Sequence, residues 1–130
     1  MVVLDTHVLI FDALEPKRLS RRSARLVETA TAEGQLACSD ISLWEIAMLI
    51  AKGRLLPGVE TTQFLKDIIE ARGLKVLPIN PEIAALAQSD DFQLGDPADR
   101  IISGTALHHR ARLVSADEKI RAIRALEVVW

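Results

Sequence analysis

Four acidic residues, Asp5, Glu45, Asp99 and Asp117, stand in this sequence where carboxylates from separate segments could meet and do chemistry. Asp5 and Asp117 fall just beyond two short apolar runs, Val2 to Leu4 and Leu113 to Ser115, that read as strands. Glu45 and Asp99 fall in the first turns of segments with helical periodicity. In an open parallel sheet those positions share one edge, and ligands bind in the crevice outside the carboxyl ends of the strands. Carboxylates crowded there repel one another and call for a cation at neutral pH. Magnesium takes oxygen ligands and keeps several waters, and manganese suits the same donors. Such an ion can polarise a phosphate oxygen, lower the pKa of a water and stabilise a leaving oxygen, which is the chemistry of phosphodiester hydrolysis. The number of ions stays open.

Each acid also has a plainer explanation. Glu45 follows Ser42 at the capping-box spacing, and Asp99 stands at the same offset from Asp96. Asp5 and Asp117 could simply cap the turns that follow their strands. Taken one at a time, capping suffices; taken together, four segments deliver acids to one edge. Asp96 reads as the N-cap of the helix carrying Asp99, yet could face the same crevice.

The chain offers no better attacking group than an activated water. Cys38 lies in an apolar strand without an adjacent base, and His7, His108 and His109 lack the spacing of a zinc site. His7 reads as a helix-start residue that could touch substrate. His108 and His109 suit a helix C-terminus on the surface. Trp44 reads as a packing residue that could instead line a substrate groove.

Positioning these groups requires an alternation of strands and helices. Strands are expected at Val2 to Leu4, Leu36 to Cys38, Val76 to Ile79, Leu113 to Ser115 and Val128 to Trp130. Helices are expected from His7 to Leu14, from a Ser20 cap to Glu33, from Ser42 to Gly53 and from Thr61 to Arg72. Others should start at Pro81, at Asp96 (running to His109) and at Asp117 (running to Ala122). This order predicts an α/β protein, a three-layer α/β/α sandwich with a central parallel sheet. The 130 residues fit one domain, 1–130.

Hydrophobic residues make up 49% and charged residues 26%, as in a globular protein rather than a disordered tail. No apolar run approaches a membrane span, and the N-terminus lacks the pattern of a signal peptide. One cysteine cannot form an internal disulfide, so a reducing, cytoplasmic location is expected. The net charge of -2 speaks against a nucleic-acid partner, but the total misleads: with four acids set apart, 14 acids face 16 Lys and Arg, about +2. Lys17, Arg18, Arg21, Arg22 and Arg25 cluster, either as a solvated helix face or as a footprint for phosphates.

The segments LDTHVLI (4–10), SLWEIAMLIAKGRL (42–55), DPADRIISGTAL (96–107) and LVSADEKI (113–120), with a closing VVW, resemble a PIN domain. More narrowly, the chain resembles the VapC-type toxins of toxin–antitoxin pairs over its full length. Carried over, the family's four acids fall on Asp5, Glu45, Asp99 and Asp117. Thr6 and Ser115 match small hydroxyl residues that could hydrogen-bond a ligand carboxylate or water. Two departures stand out. Phe92-Gln93-Leu94-Gly95 lies where many relatives have a histidine-containing stretch, and Ala98 lies where many have an aromatic; both bear on substrate preference rather than on the acids.

The resemblance implies a Mg²⁺- or Mn²⁺-dependent endoribonuclease acting on structured RNA such as tRNA or rRNA. It also implies a homodimer, and a small antitoxin protein that covers the acidic site. A PIN nuclease of RNA processing or repair without an antitoxin, or an RNA-binding module with a decayed site, is the alternative. A receiver-like domain would want two adjacent N-terminal acids and a late lysine at a strand end, and a dinucleotide-binding fold a glycine-rich first turn; both features are missing. On the four-acid reading, Asp5→Asn or Asp99→Asn should remove cleavage and leave the fold intact, melting at the same or higher temperature.

Overall fold

Five short strands pair in the order β3-β2-β1-β4-β5, all parallel: β1 (Val2–Leu4), β2 (Leu36–Ser39), β3 (Lys75–Leu77), β4 (Arg112–Val114) and β5 (Val128–Val129). The computed structural model describes residues 1–130. The helices are α1 (Thr6–Leu14), α2 (Arg21–Ala32), α3 (Asp40–Ala51), α4 (Thr61–Arg72), α5 (Pro81–Leu86), α6 (Pro97–His108) and α7 (Glu118–Arg121). A 3₁₀ turn over Pro16–Arg18, not foreseen from the sequence, joins α1 to α2. No helix is long and apolar enough to cross a membrane.

Register explains the three layers. Val3 pairs with Ala37 on one side and Leu113 on the other, so this rung points to one face. There it meets Ile102 and Ala106 of α6, Ile120 of α7, and Phe92 and Leu94 of the preceding loop. Val2, Leu4, Leu36, Cys38 and Val114 point the other way, onto Val8 and Leu9 of α1, Val27 of α2, Ile46 of α3 and Phe64 and Ile68 of α4. Strands apolar on both faces are what a covered parallel sheet demands. The expected sandwich is therefore the observed fold.

Local signals behave as their chemistry predicts. The Ser20 hydroxyl accepts from the Ser23 N–H (3.0 Å), and Asn80 and Asp96 cap helices that open with proline. Gly73 closes α4 in the left-handed region (φ 58°). Gly104 serves differently: a Cβ there would lie 3.2 Å from the Ile83 carbonyl, so the missing side chain lets α5 lie close on α6.

Three expectations need correction. α3 opens at Asp40, not Ser42, because β2 runs straight into it and Ser39, at the strand end, takes the cap (3.3 Å to the Ile41 N–H). β3 ends at Leu77, two residues early; Pro78 has no N–H for a ladder, and the Ile79 N–H turns to Asp40 Oδ2 (3.3 Å). Trp44 does not pack: it is 60% exposed on the outer side of α3.

Arg100 has a role the sequence did not disclose. Its guanidinium donates to the carbonyls of Leu94 (2.8 Å), Ala87 (2.9 Å) and Ser89 (3.4 Å), clamping the loop between α5 and α6. That loop carries the buried Phe92 and Leu94 and leads to Asp96. Arg100→Ala should lower stability by about 2–3 kcal/mol in denaturant melts, because three carbonyls lose a charged donor. Arg100→Lys should recover less than half of that, since an ammonium cannot reproduce the planar fork.

Candidate active site

The strand order reverses beside β1: the chain moves outward through β2 and β3, then returns to place β4 on the other flank. That reversal opens a crevice at the carboxyl ends of β1 and β4. Asp5 follows β1 directly, and Ser115, Ala116 and Asp117 follow β4.

Asp5 is 2% exposed and fully engaged. Oδ1 accepts from the Thr6 N–H (2.8 Å), capping α1. Oδ2 accepts from the Ser115 hydroxyl (2.6 Å) and lies 3.3 Å from Nδ1 of His7. Ser115 Oγ in turn accepts from the Asp117 N–H (3.1 Å). Asp117 caps α7, its Oδ1 accepting from the N–H groups of Lys119 (2.8 Å) and Ile120 (3.1 Å). Capping and site-building are thus not alternatives for Asp5 and Asp117: Asp5 caps with Oδ1 and accepts from Ser115 with Oδ2, and Asp117 caps with Oδ1 while lining the cleft at the start of α7.

Glu45 does not close a capping box. Ser42, the expected partner, is buried inside α3 with its hydroxyl 2.9 Å from that of Thr6. The Thr6 hydroxyl gives its hydrogen to Glu45 Oε1, so Ser42 must donate to Thr6. A relay from Ser42 through Thr6 holds Glu45 beside the residue that follows Asp5. Asp99 sits in the first turn of α6, whose cap is Asp96 (2.9 Å to the Ala98 N–H), and its own carboxylate carries no hydrogen bond.

The electrostatics tie the set together. Asp99 is pushed up to about 7, by burial first and then by Asp5, Asp96, Asp117 and Glu45. Glu45 is raised by burial, against the Thr6 hydroxyl, with Asp96 and Asp5 adding to the rise. Asp5 is raised by burial despite the opposing pull of His7, Ser115 and the Thr6 N–H. Asp96 therefore belongs electrostatically to the group. A cleft of about 400 Å³ opens between the starts of α6 and α7, lined by Asp96, Asp99, Asp117 and Glu118, with Lys119 as its cation. A larger cavity of about 570 Å³ lies beside it, sharing Lys119, but its other walls come from Asp90 to Gln93 and Ala122 to Ala125, away from the four acids.

The PIN-domain profile matches residues 2–126. The chain belongs to the PIN-domain family. This PIN domain is 35% identical over 124 residues to Ribonuclease VapC22 of Mycobacterium tuberculosis, covering 95% of this chain and 92% of the relative. Its fold is shared with a chain of the Rickettsia felis VapBC2 complex bound to a promoter DNA fragment (TM-score 0.75, 16% identity, 99% and 98% coverage). It is shared too with a toxin–antitoxin complex from Klebsiella pneumoniae (TM-score 0.67, 22% identity, 100% and 97% coverage) and with FitAcB from Neisseria gonorrhoeae (0.66, 22%, 100% and 97%).

The oxygens of this PIN domain are hard donors of the kind magnesium and manganese take. As the side chains stand, no three acid, histidine or cysteine groups are gathered tightly enough to grip one ion. Asp99 carries no hydrogen bond to break and is free to swing; Asp5 is held and would be the fixed point. Cys38 is excluded from the chemistry by its surroundings. The Cys38 thiol is buried and pushed up to about 12, chiefly by desolvation, so it supplies no thiolate. His108 and His109 end α6, as expected, with their rings edge-on at 4.9 Å. The residue the sequence undervalued is His7; its position two after Asp5, in the first turn of α1, was the available signal.

Proposed function

We propose that this PIN domain is a metal-dependent endoribonuclease, a hydrolase that cuts structured RNA such as tRNA or rRNA. We place it as the toxin of a type II toxin–antitoxin pair. The observation that carries the reading is Asp99, a carboxyl lifted to about 7 by burial and by four other acids, three of which, Asp5, Glu45 and Asp117, come from other segments of the chain. Such crowding is costly for folding alone and suits a site built to receive a cation. The 35% identity to a ribonuclease over nearly the whole of both chains supports the RNA part, and the likeness to VapBC complexes supports the antitoxin part.

In this reading Asp5, Glu45, Asp99 and Asp117 hold Mg²⁺ or Mn²⁺. A bound cation would polarise a phosphate oxygen and acidify a water. The residues of the chain do the rest. Asp5, fixed by Ser115 and by the start of α1, sets the centre of the site. Thr6 holds Glu45 toward it. Asp99, crowded by the other acids and without a hydrogen bond of its own, is the carboxylate with most to gain from a bound cation. Asp96 adds negative charge at the mouth, and Lys119 offers the one cation of the cleft to a neighbouring phosphate. The partners proposed are an RNA substrate, a small antitoxin protein and a second copy of the chain, with a cytoplasmic location.

The test is incubation of purified protein with total RNA, with and without Mg²⁺ or Mn²⁺, beside Glu45→Gln. Discrete fragments that need the metal and vanish in the variant are the expected result. Fragments that persist in EDTA, or that Glu45→Gln still makes at the wild-type rate, would defeat the proposal.

A further inference from the structure

His7 does more than begin a helix. Its Nε2 is 3.1 Å from the backbone N–H of Ala116, which can only donate. Nε2 therefore accepts, and the ring hydrogen sits on Nδ1, which faces Asp5 Oδ2 at 3.3 Å. One imidazole thus bridges the carboxylate after β1 to the backbone after β4. Ser115 makes a second bridge beside it, from the same Oδ2 to the Asp117 N–H. Three hydrogen bonds and the 3.3 Å approach of His7 to Asp5 thus link Asp5, His7, Ser115, Ala116 and Asp117 across the switch point of the sheet. The ring plane is itself steadied by Phe11 (centroids 5.6 Å) and, edge-on, by the C-terminal Trp130 (6.4 Å).

We propose that His7 is a positioning residue that fixes Asp5 and Asp117 relative to each other for cation binding. The inference rests on the metal reading above. Without the imidazole, the Asp5 carboxylate would lose its neighbour at 3.3 Å, the Ala116 N–H its acceptor, and the two strand ends one of their two links. Side chains that orient ligands in this way typically change metal affinity 10- to 100-fold when removed.

The experiment titrates the intact protein, without RNA, with Mn²⁺ followed by electron paramagnetic resonance of the free ion. Thermal melts in EDTA run in parallel. His7→Phe keeps the aromatic packing and removes both polar contacts; its Mn²⁺ affinity should fall about 10-fold or more while its melt in EDTA stays cooperative. His7→Asn places an amide N–H near the Nδ1 position and should hold affinity within about 3-fold of wild type, whereas His7→Gln, reaching only the Ala116 side, should resemble Phe. If His7→Phe fails to fold, the Asn and Gln variants decide the matter. Equal Mn²⁺ affinity in wild type and Phe, or in Asn and Gln, overturns the positioning role while the metal site stands. Absence of Mn²⁺ binding by wild type removes the metal reading itself, and this inference with it.

Discussion

Asp99→Asn will remove RNA cleavage and raise the melting temperature of the metal-free protein at pH 8. Both effects come from the same carboxylate. Asp99 makes no hydrogen bond in the fold, so a side chain of equal size and no charge costs it no partner. At pH 8 its charge faces those of Asp5, Asp96, Asp117 and Glu45 in a half-buried setting. A rise from 3.8 to about 7 would amount to roughly 4 kcal/mol for a fully buried group; with Asp99 only partly buried, solvent screening reduces the relief to about 1–2 kcal/mol. For a chain of this size that is about 3–8 °C. Activity should fall by at least about 100-fold, since a neutral amide holds a hard cation poorly. A melting temperature that drops instead would mean that Asp99 serves the helix start and not the site.

Asp5→Asn should be equally inactive but should not gain stability. The asparagine amide must meet Ser115 Oγ–H, His7 Nδ1–H and the Thr6 N–H, three donors around two acceptor atoms, and one of its atoms is now a donor. The melting temperature should fall. The sequence alone treats Asp5 and Asp99 alike, because their difference lies in partners 110 residues away along the chain.

Much of the positioning was legible because it is local. Apolar runs of three or four residues, Ser20, Asn80-Pro81, Asp96-Pro97 and Gly73 mark their elements by chemistry that acts over one turn. The two-faced burial of Val2, Val3 and Leu4 follows from an unbroken apolar strand, and with it the parallel sheet whose edge gathers the acids. What stayed hidden depends on contacts between segments. Ser42 looks like a cap three residues before Glu45, but β2 leaves no loop in which it could cap, and the hydroxyl turns to Thr6 instead. Trp44 has the apolar character of a core residue, and only the packing of α3 shows that its side faces outward. Arg100 and His7 act on backbone groups, which no side-chain pattern announces.

Metal-free protein will lose stability as pH rises from about 4 to about 7, and Mn²⁺ will reverse that slope. In the unfolded chain Asp99 sheds its proton near 3.8; in the fold it holds the proton to about 7. Between those values the folded state carries the extra proton, so unfolding becomes easier with each increase in pH. The stabilisation is complete below about 4 and gone above about 7. Asp5 and Glu45, both raised, act in the same direction. Glu60, the carboxyl lowered by the N–H groups of Thr62 and Gln63, has the opposite sign, its contribution being lost as pH falls below the ordinary glutamate value. A cation competes with the same protons, so its affinity should climb through this interval and level off above about 7. At a hundred times its dissociation constant it would add roughly 2.7 kcal/mol. Urea melts at pH 5, 6, 7 and 8, in EDTA and in saturating Mn²⁺, measure both slopes. In Asp99→Asn the EDTA slope should flatten and most of the gain from Mn²⁺ should disappear; a slope equal to wild type would assign the pH dependence to other groups and remove Asp99 from the centre of the site.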